Sequence, residues 1–315
     1  LTKIVISEFM DEEAVAYLAA SHDVQFDPTL VDSPPRLAMA SMNADALIVR
    51  NRTRVDSSLI TRARRLRCVG RLGVGLDNID TKACRSRAID VFAATGANDV
   101  AVAEYVLGTM LVLLRRAYGA TQAVMAGTWP RLALIGREAH GRRIGLVGFG
   151  ATAREIAKRA AAFGMEVQAF DPHLPSFHEA WKLAAYVDLT TLLATSDVVS
   201  VHVPLTDATC NLIGRKEFAQ MRRDAIFINT ARGGVVEETA LADALLEKRI
   251  AGAAMDVFEE EPLPAAQGRI FASLDNLILT PHIAGLTEES NVRVSWMVAR
   301  RIAEALSHPI QVATQ

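Results

Sequence analysis

The sequence predicts an α/β protein with two doubly wound parallel sheets, and three observations carry that prediction. Short β-rich apolar runs recur along the 315 residues, they do not alternate with polar residues, and helix-length segments separate them. Strands covered by helices on both faces have this pattern, because neither face needs a polar row. At roughly 100 to 200 residues per domain, the length makes about two domains, each able to bury a core without disulfide or metal staples.

Composition narrows the class. With 34 basic against 36 acidic side chains the formal net charge is -2, so the strong positive field that nucleic-acid or polybasic membrane binding requires is missing. Neither partner is expected. Cys68, Cys84 and Cys210 lack the paired spacing of a zinc site or a disulfide framework, which points to no metal and a reducing compartment. The first ten residues hold too short an apolar run for a signal peptide. The stretch Val100 to Leu114 is interrupted by Glu104 and falls short of the roughly 18 apolar residues of a membrane span. A soluble, cytoplasmic protein is expected.

Taken in order, the predicted strands are Ile4 to Ile6, Ala46 to Val49, Cys68 to Gly70, Ile144 to Val147, Val167 to Phe170, Val198 to Val203, Ala225 to Ile228, Gly252 to Met255 and Leu277 to Leu279. Between the third and fourth, Asp99 to Tyr118 reads as one long buried helix. Asn98 or Asp99 is available as its N-cap, and Arg115 and Arg116 complement the dipole in its last turn. This helix marks the handover from a first α/β unit to a second. Thr287 to Leu306 is again helical in pattern and would let the chain cross back to the first unit. The expected layout is a discontinuous outer domain, 1–97 plus 287–315, around a continuous domain, 98–286, with a cleft between them.

The strongest local motif is IGLVGFGATA, 144–153, followed by a helical run with small residues. Gly148 permits a tight turn and Gly150 lets backbone N–H groups approach a pyrophosphate at the positive end of a helix, with Ala153 in the third position where only a small side chain is needed. By itself such a motif also fits an ordinary strand-helix turn. The next strand ends at Asp171, placed to accept from adenosine ribose hydroxyls and to repel a 2'-phosphate, which favours NAD over NADP. Asp171 before Pro172 equally reads as a turn former.

Five blocks, GRLGVGLDNID (70–80), the GFGATA turn, NTARGG, AMDVFEEEP and TPHIAG, resemble the D-isomer-specific 2-hydroxyacid dehydrogenase family, most closely its 3-phosphoglycerate dehydrogenase-like branch. They stand in the family's order over nearly the whole chain. The resemblance implies Rossmann-like and flavodoxin-like domains and an NAD-dependent oxidoreductase acting on a CH–OH group. It also implies that Arg232 holds the substrate carboxylate and carbonyl, that His282 is the acid/base, and that Glu261 pairs with His282, with Glu260 as the alternative. The chemistry suits these types: imidazole exchanges protons near neutrality, a carboxylate stabilises imidazolium, and a guanidinium forks onto a carboxylate. In isolation, Arg232 reads as a loop arginine, His282 as a capped core histidine and the acidic run as an exposed turn.

The same resemblance implies cofactor contacts at Ala151, Thr152, His202, Pro204, Thr230, Ala231, Arg232, Asp256, His282 and Gly285. Asp256 would accept from the carboxamide, or else serve as a helix or turn cap. On the substrate side it implies backbone N–H groups of Gly73, Val74 and Gly75 and the side chains of Arg50 and Arg71, with Arg131 as a further candidate. Those arginines point to a small anionic 2-hydroxy or 2-keto acid with a second anionic group at C3, such as 3-phosphoglycerate or 3-sulfolactate. They equally fit exposed charges near strand ends. A glyoxylate or hydroxypyruvate reductase and a non-enzymatic NAD(H)-sensing corepressor-like protein are the alternatives. The family's regulatory C-terminal domain is not expected, and a homodimer built through roughly Asn98 to Arg143 is.

Overall fold

The computed structural model describes residues 1–307. The last eight residues assigned to the outer domain, 308–315, lie outside the described residues. The chain divides into two compact units, one formed by Leu1–Asn98 with the segment from Leu286 onward, the other by Asp99–Gly285.

The first unit carries β1 (Lys3–Ile6), β2 (Asp23–Phe26), β3 (Ala46–Val49), β4 (Cys68–Arg71) and β5 (Asp90–Ala93) in the order β2-β1-β3-β4-β5, all parallel. Successive side chains of a strand point to opposite faces. Ile4, Ile6, Ala46 and Ile48 therefore pack on one face with Val294, Val298 and Ile302 of the helix Glu288–Ser307. Val5, Leu47 and Val49 pack on the other with Leu30, Leu59 and Ile60. Two buried faces are why β1 and β3 read as unbroken apolar runs.

The second unit carries β6 (Arg143–Val147), β7 (Glu166–Phe170), β8 (Ala185–Tyr186), β9 (Val198–Val201), β10 (Ile226–Asn229), β11 (Gly252–Met255) and β12 (Leu277–Leu279). The order is β12-β11-β10-β9-β6-β7-β8, again parallel throughout. The same alternation divides Ile144, Leu146, Ile226 and Ile228 from Val199, Val201, Phe227 and Met255. Strand order reverses between β6 and β9 here, and between β1 and β3 in the first unit. Open α/β sheets take ligands outside the carboxyl ends of strands at such a switch point.

All nine predicted strands are present, and three were missed: β2, β5 and β8. Each is an edge strand. Their half-exposed sequences, DVQF, DVFA and AY, lack the continuous apolar run that marks a strand covered on both faces. The long helix spans Asp99–Arg115 and stops short of Tyr118, with Arg116 at φ +56 closing it. No described helix is long and apolar enough to cross a membrane.

Candidate active site

In the Asp99–Gly285 unit the switch point is built on a glycine. Gly148 follows β6 with φ +88, a conformation that a side chain opposes. A Cβ there would also lie 2.7 Å from the His202 carbonyl oxygen. His202 in turn donates its N–H to Val147 O at 2.7 Å, so the exits of β6 and β9 lie against each other. Gly150 precedes the helix Ala151–Ala162, which no side chain caps, and a Cβ on Gly150 would meet nothing described within 4 Å. The first-turn N–H groups, which have no partner inside a helix, thus meet open space at its positive end. That is what a pyrophosphate needs.

The Thr152 hydroxyl turns elsewhere, donating to Asp99 Oδ1 at 2.6 Å. The Asp99 carboxylate is thus engaged by Thr152, whose backbone N–H lies in the first turn of the helix. Asp171 follows β7. Its Oδ2 accepts from Phe149 N and its Oδ1 from His173 N, both at 2.9 Å. The turn-forming role is thus realised, and a carboxylate with about four lone-pair positions has capacity for further donors. Nε2 of His202 lies 2.8 Å from Ser200 Oγ. Burial drives this imidazole down to about 3, so it lines the strand exit as a neutral ring. Pro204 follows, exposed. The Thr230 hydroxyl is buried with no hydrogen-bond partner among the described residues.

The turn after β10 is stapled by Asn229, a fully buried residue. Its Oδ1 accepts from Ala231 N at 2.9 Å, and its Nδ2 donates to Arg232 O at 3.0 Å. Gly233 then passes so close to the Phe258–Glu259 backbone that a Cβ would overlap the Phe258 carbonyl. Buried Glu238 accepts Glu259 N–H at 2.7 Å, joining the arginine-bearing turn to the acidic loop.

Within that loop Glu261 Oε1 accepts from Phe258 N at 3.1 Å, and Oε2 lies 2.7 Å from His282 Nδ1. Glu260 instead accepts from Gln267 at 3.2 Å, so the geometry separates the two candidate acids. Burial raises the Glu261 carboxyl. The hydrogen bond and charge of His282, the Phe258 N–H and the Arg232 charge outweigh it, so the group sits below its ordinary value. An ionised Glu261 can only accept. Nδ1 is then the protonated ring nitrogen and Nε2 is left for exchange with a ligand.

His282 itself has φ +55, unusual for a residue with a side chain. Asp256, 1% exposed, holds that bend. Its carbonyl accepts His282 N–H at 2.8 Å. Its carboxylate accepts from Thr280 Oγ1 at 2.6 Å and from the N–H groups of Ile283 and Ala284 at 2.8 Å each. Tyr105 OH lies 2.5 Å from Thr280 Oγ1. Because the threonine hydroxyl donates to the carboxylate, Tyr105 is the donor to Thr280. The capping alternative for Asp256 is thus realised in the loop that carries His282 and ends at Gly285.

In the other unit, Val49 and Arg71 are register partners on β3 and β4, so Arg50 and Arg71 lie at the carboxyl ends of neighbouring strands. Arg71 folds back over its own turn: Nη1 donates to Leu72 O at 3.1 Å and occupies the space a Cβ on Gly73, at φ +150, would need. Val74 is exposed and Gly75 half-buried beside it. Arg131, in the Asp99–Gly285 unit, is exposed. Among the residues that hold these groups in place, Asn229, Tyr105, Thr280 and Glu238 are not singled out by the sequence, and Asp99 is read there only as a helix N-cap. Asn229 and Thr280 are the first residues of the NTARGG and TPHIAG blocks, which was the available signal. Tyr105 had none.

Fold and site together place the molecule among the doubly wound α/β oxidoreductases that use a nicotinamide dinucleotide. Comparison with known proteins narrows this. Residues 107–284 match the family described as D-isomer specific 2-hydroxyacid dehydrogenase, NAD binding domain, and the chain belongs to that family. It is 51% identical over 307 residues to the (S)-sulfolactate dehydrogenase of Chromohalobacter salexigens, covering 97% of this chain and 99% of that one. It is 37% identical over 300 residues to a D-3-phosphoglycerate dehydrogenase of Archaeoglobus fulgidus, covering 95% of this chain but 56% of that longer protein. Among solved structures, D-lactate dehydrogenase from Aquifex aeolicus, complexed with NAD and lactic acid, superposes with a TM-score of 0.86 at 25% identity, over 97% of this chain and 96% of that one. NAD is accordingly the cofactor, and the chain is an oxidoreductase of CH–OH groups.

Proposed function

We propose that this enzyme interconverts a 2-hydroxy acid bearing a second anionic group at C3, with 3-sulfolactate foremost, and its 2-keto acid. The observation that carries the reading is the pair of arginines, Arg50 and Arg71, at the carboxyl ends of adjacent parallel strands. Similarity to the (S)-sulfolactate dehydrogenase supports it. NAD, when bound, exchanges the hydride at C2. The first-turn N–H groups after Gly150 would hold its pyrophosphate and Asp171 its ribose hydroxyls, while Thr230 presents a buried hydroxyl without a partner among the described residues.

The chain's own groups do the rest. Arg232 binds the substrate carboxylate and the C2 oxygen. His282 Nε2 takes the hydroxyl proton as C2 is oxidised and returns it in the reverse direction, while Glu261 keeps Nδ1 protonated and the ring oriented. Backbone N–H groups of Gly73 to Gly75 support the carboxylate, and Arg50 and Arg71 take the second anion. The chain acts as a homodimer built through the region of roughly Asn98 to Arg143.

The test is a panel of 3-sulfolactate, 3-phosphoglycerate, lactate and glycolate with NAD, run on wild type and Arg71→Ala. The expected outcome is preference for an acid with two anionic groups and loss of that preference in Arg71→Ala. An unchanged ratio in the variant defeats the reading. Tight NADH binding without turnover of any member would mark a sensor instead.

A further inference from the structure

The switch point of the first unit lies between the exits of β1 and β3, and a buried carboxylate is built into it. Glu8, two residues past β1, is 5% exposed. A carboxylate so deeply removed from water is costly unless it is hydrogen-bonded. Three of its partners are backbone N–H groups of the β3 exit loop. Oε1 accepts from Arg50 at 2.8 Å and Thr53 at 2.9 Å, and Oε2 from Arg52 at 3.2 Å.

Asn78 closes the other side of the same loop. Its Nδ2 donates to the carbonyls of Arg50 at 2.9 Å and Thr53 at 2.6 Å. Arg50 thus has both its N–H and its C=O tied by side chains from distant parts of the unit. Its guanidinium is tied as well: Nη2 donates to Asn291 Oδ1 at 2.6 Å, and Cζ lies 6.0 Å from the centroid of the Phe9 ring. Burial lowers the pKa of this guanidinium and the Glu8 charge opposes the shift. Surface loops ordinarily satisfy their backbone with water. A loop held at this many points, by buried Glu8 and half-buried Asn78 and Asn291, is held for the direction of what it carries.

We propose that Glu8 and Asn78 are positioning residues that aim Arg50, and thereby determine the preference for 2-hydroxy acids with a second anionic group over those without one. The inference rests on the proposed reading of Arg50. Neither residue need touch substrate. A forked donor meeting an anion is sensitive to placement, and an error of about 1 Å can cost roughly 100-fold.

The experiment compares wild type, Glu8→Gln, Asn78→Ala and Arg50→Ala, measuring kcat/KM on 3-sulfolactate and on lactate at saturating NAD, with thermal unfolding alongside. The ratio of the two specificity constants is expected to fall by roughly 10-fold or more in Glu8→Gln and in Asn78→Ala, with lactate turnover nearly retained. Arg50→Ala separates the two levels of argument. If its ratio is unchanged, the substrate reading fails and this inference with it. If its ratio collapses while those of Glu8→Gln and Asn78→Ala stay at wild type, only this inference fails. Equal losses on both substrates in these two variants also overturn it, because a merely structural residue would act that way. Should Glu8→Gln not fold, Asn78→Ala decides alone.

Discussion

Oε2 of Glu261 lies 2.7 Å from Nδ1 of His282, across 21 residues of chain, and each side chain is one-third exposed. The pair is open enough to meet a ligand and close enough to fix the ring. Because Glu261 is held below its ordinary value, it remains a carboxylate through the neutral range and keeps its charge to lower pH than an ordinary glutamate. Glu261→Gln keeps the shape and removes the charge. It is expected to lower kcat by roughly 10- to 100-fold, the worth of a charge-assisted hydrogen bond. His282→Ala should cost roughly 100- to 10,000-fold and leave NADH affinity little changed. Steady-state kinetics with a fluorescence titration of NADH read both quantities. Near wild-type kcat in His282→Ala across the pH range would remove it from the chemistry.

His202 supplies a pH dependence of stability. Its folded pKa is about 3 against an ordinary 6.5, with burial as the cause. Between these values the unfolded chain binds a proton that the folded chain refuses. Its contribution is therefore complete above pH 6.5 and is lost as pH falls toward 3, at up to about 1.4 kcal/mol per pH unit. Replacing His202 by Asn removes the titration. Urea midpoints measured at pH 7 and pH 5 should fall further for wild type than for the variant. Equal falls would show that the ring does not resist protonation.

The segment after Arg115 exposes a series of large apolar side chains, including Trp129 at 69% and Leu132 at 85%. Exposed apolar surface of this kind marks a protein contact, which fits the proposed homodimer. Leu132→Glu places a charge in that contact and should shift the protein to monomer in sedimentation equilibrium. A monomeric wild type would overturn the homodimer, and an unaltered dimer in the variant would locate the contact elsewhere.

Legibility in the sequence followed burial. β1, β3, β9 and β10 were readable because both faces are covered, whereas β2, β5 and β8 were not, because edge strands carry too little apolar sequence to announce themselves. Glu261 was preferred to Glu260 only by its place in a family motif, and the distinction became physical when Glu260 was found on Gln267 and Glu261 on His282. Glu8 and Asn229 bond chiefly to backbone groups. Backbone partners leave no side-chain signature, so no pattern of residue types reveals them.

The helix Glu288–Ser307 contributes Val294, Val298, Ile302 and Leu306 to the core that also contains Ile4, Ile6 and Cys68, and Arg67 donates to the carbonyls of Ala305 and Leu306. During synthesis the first sheet therefore waits for a wall that is made only after the whole second unit. Residues 99–285 emerge complete in the meantime, and at roughly 5 to 20 residues per second that interval lasts roughly 10 to 40 s. The nucleotide-binding unit can finish folding on the ribosome, while the N-terminal strands, with one apolar face covered only in part by Met10, Ala14 and Leu18, stand open to chaperones until the helix Glu288–Ser307 arrives.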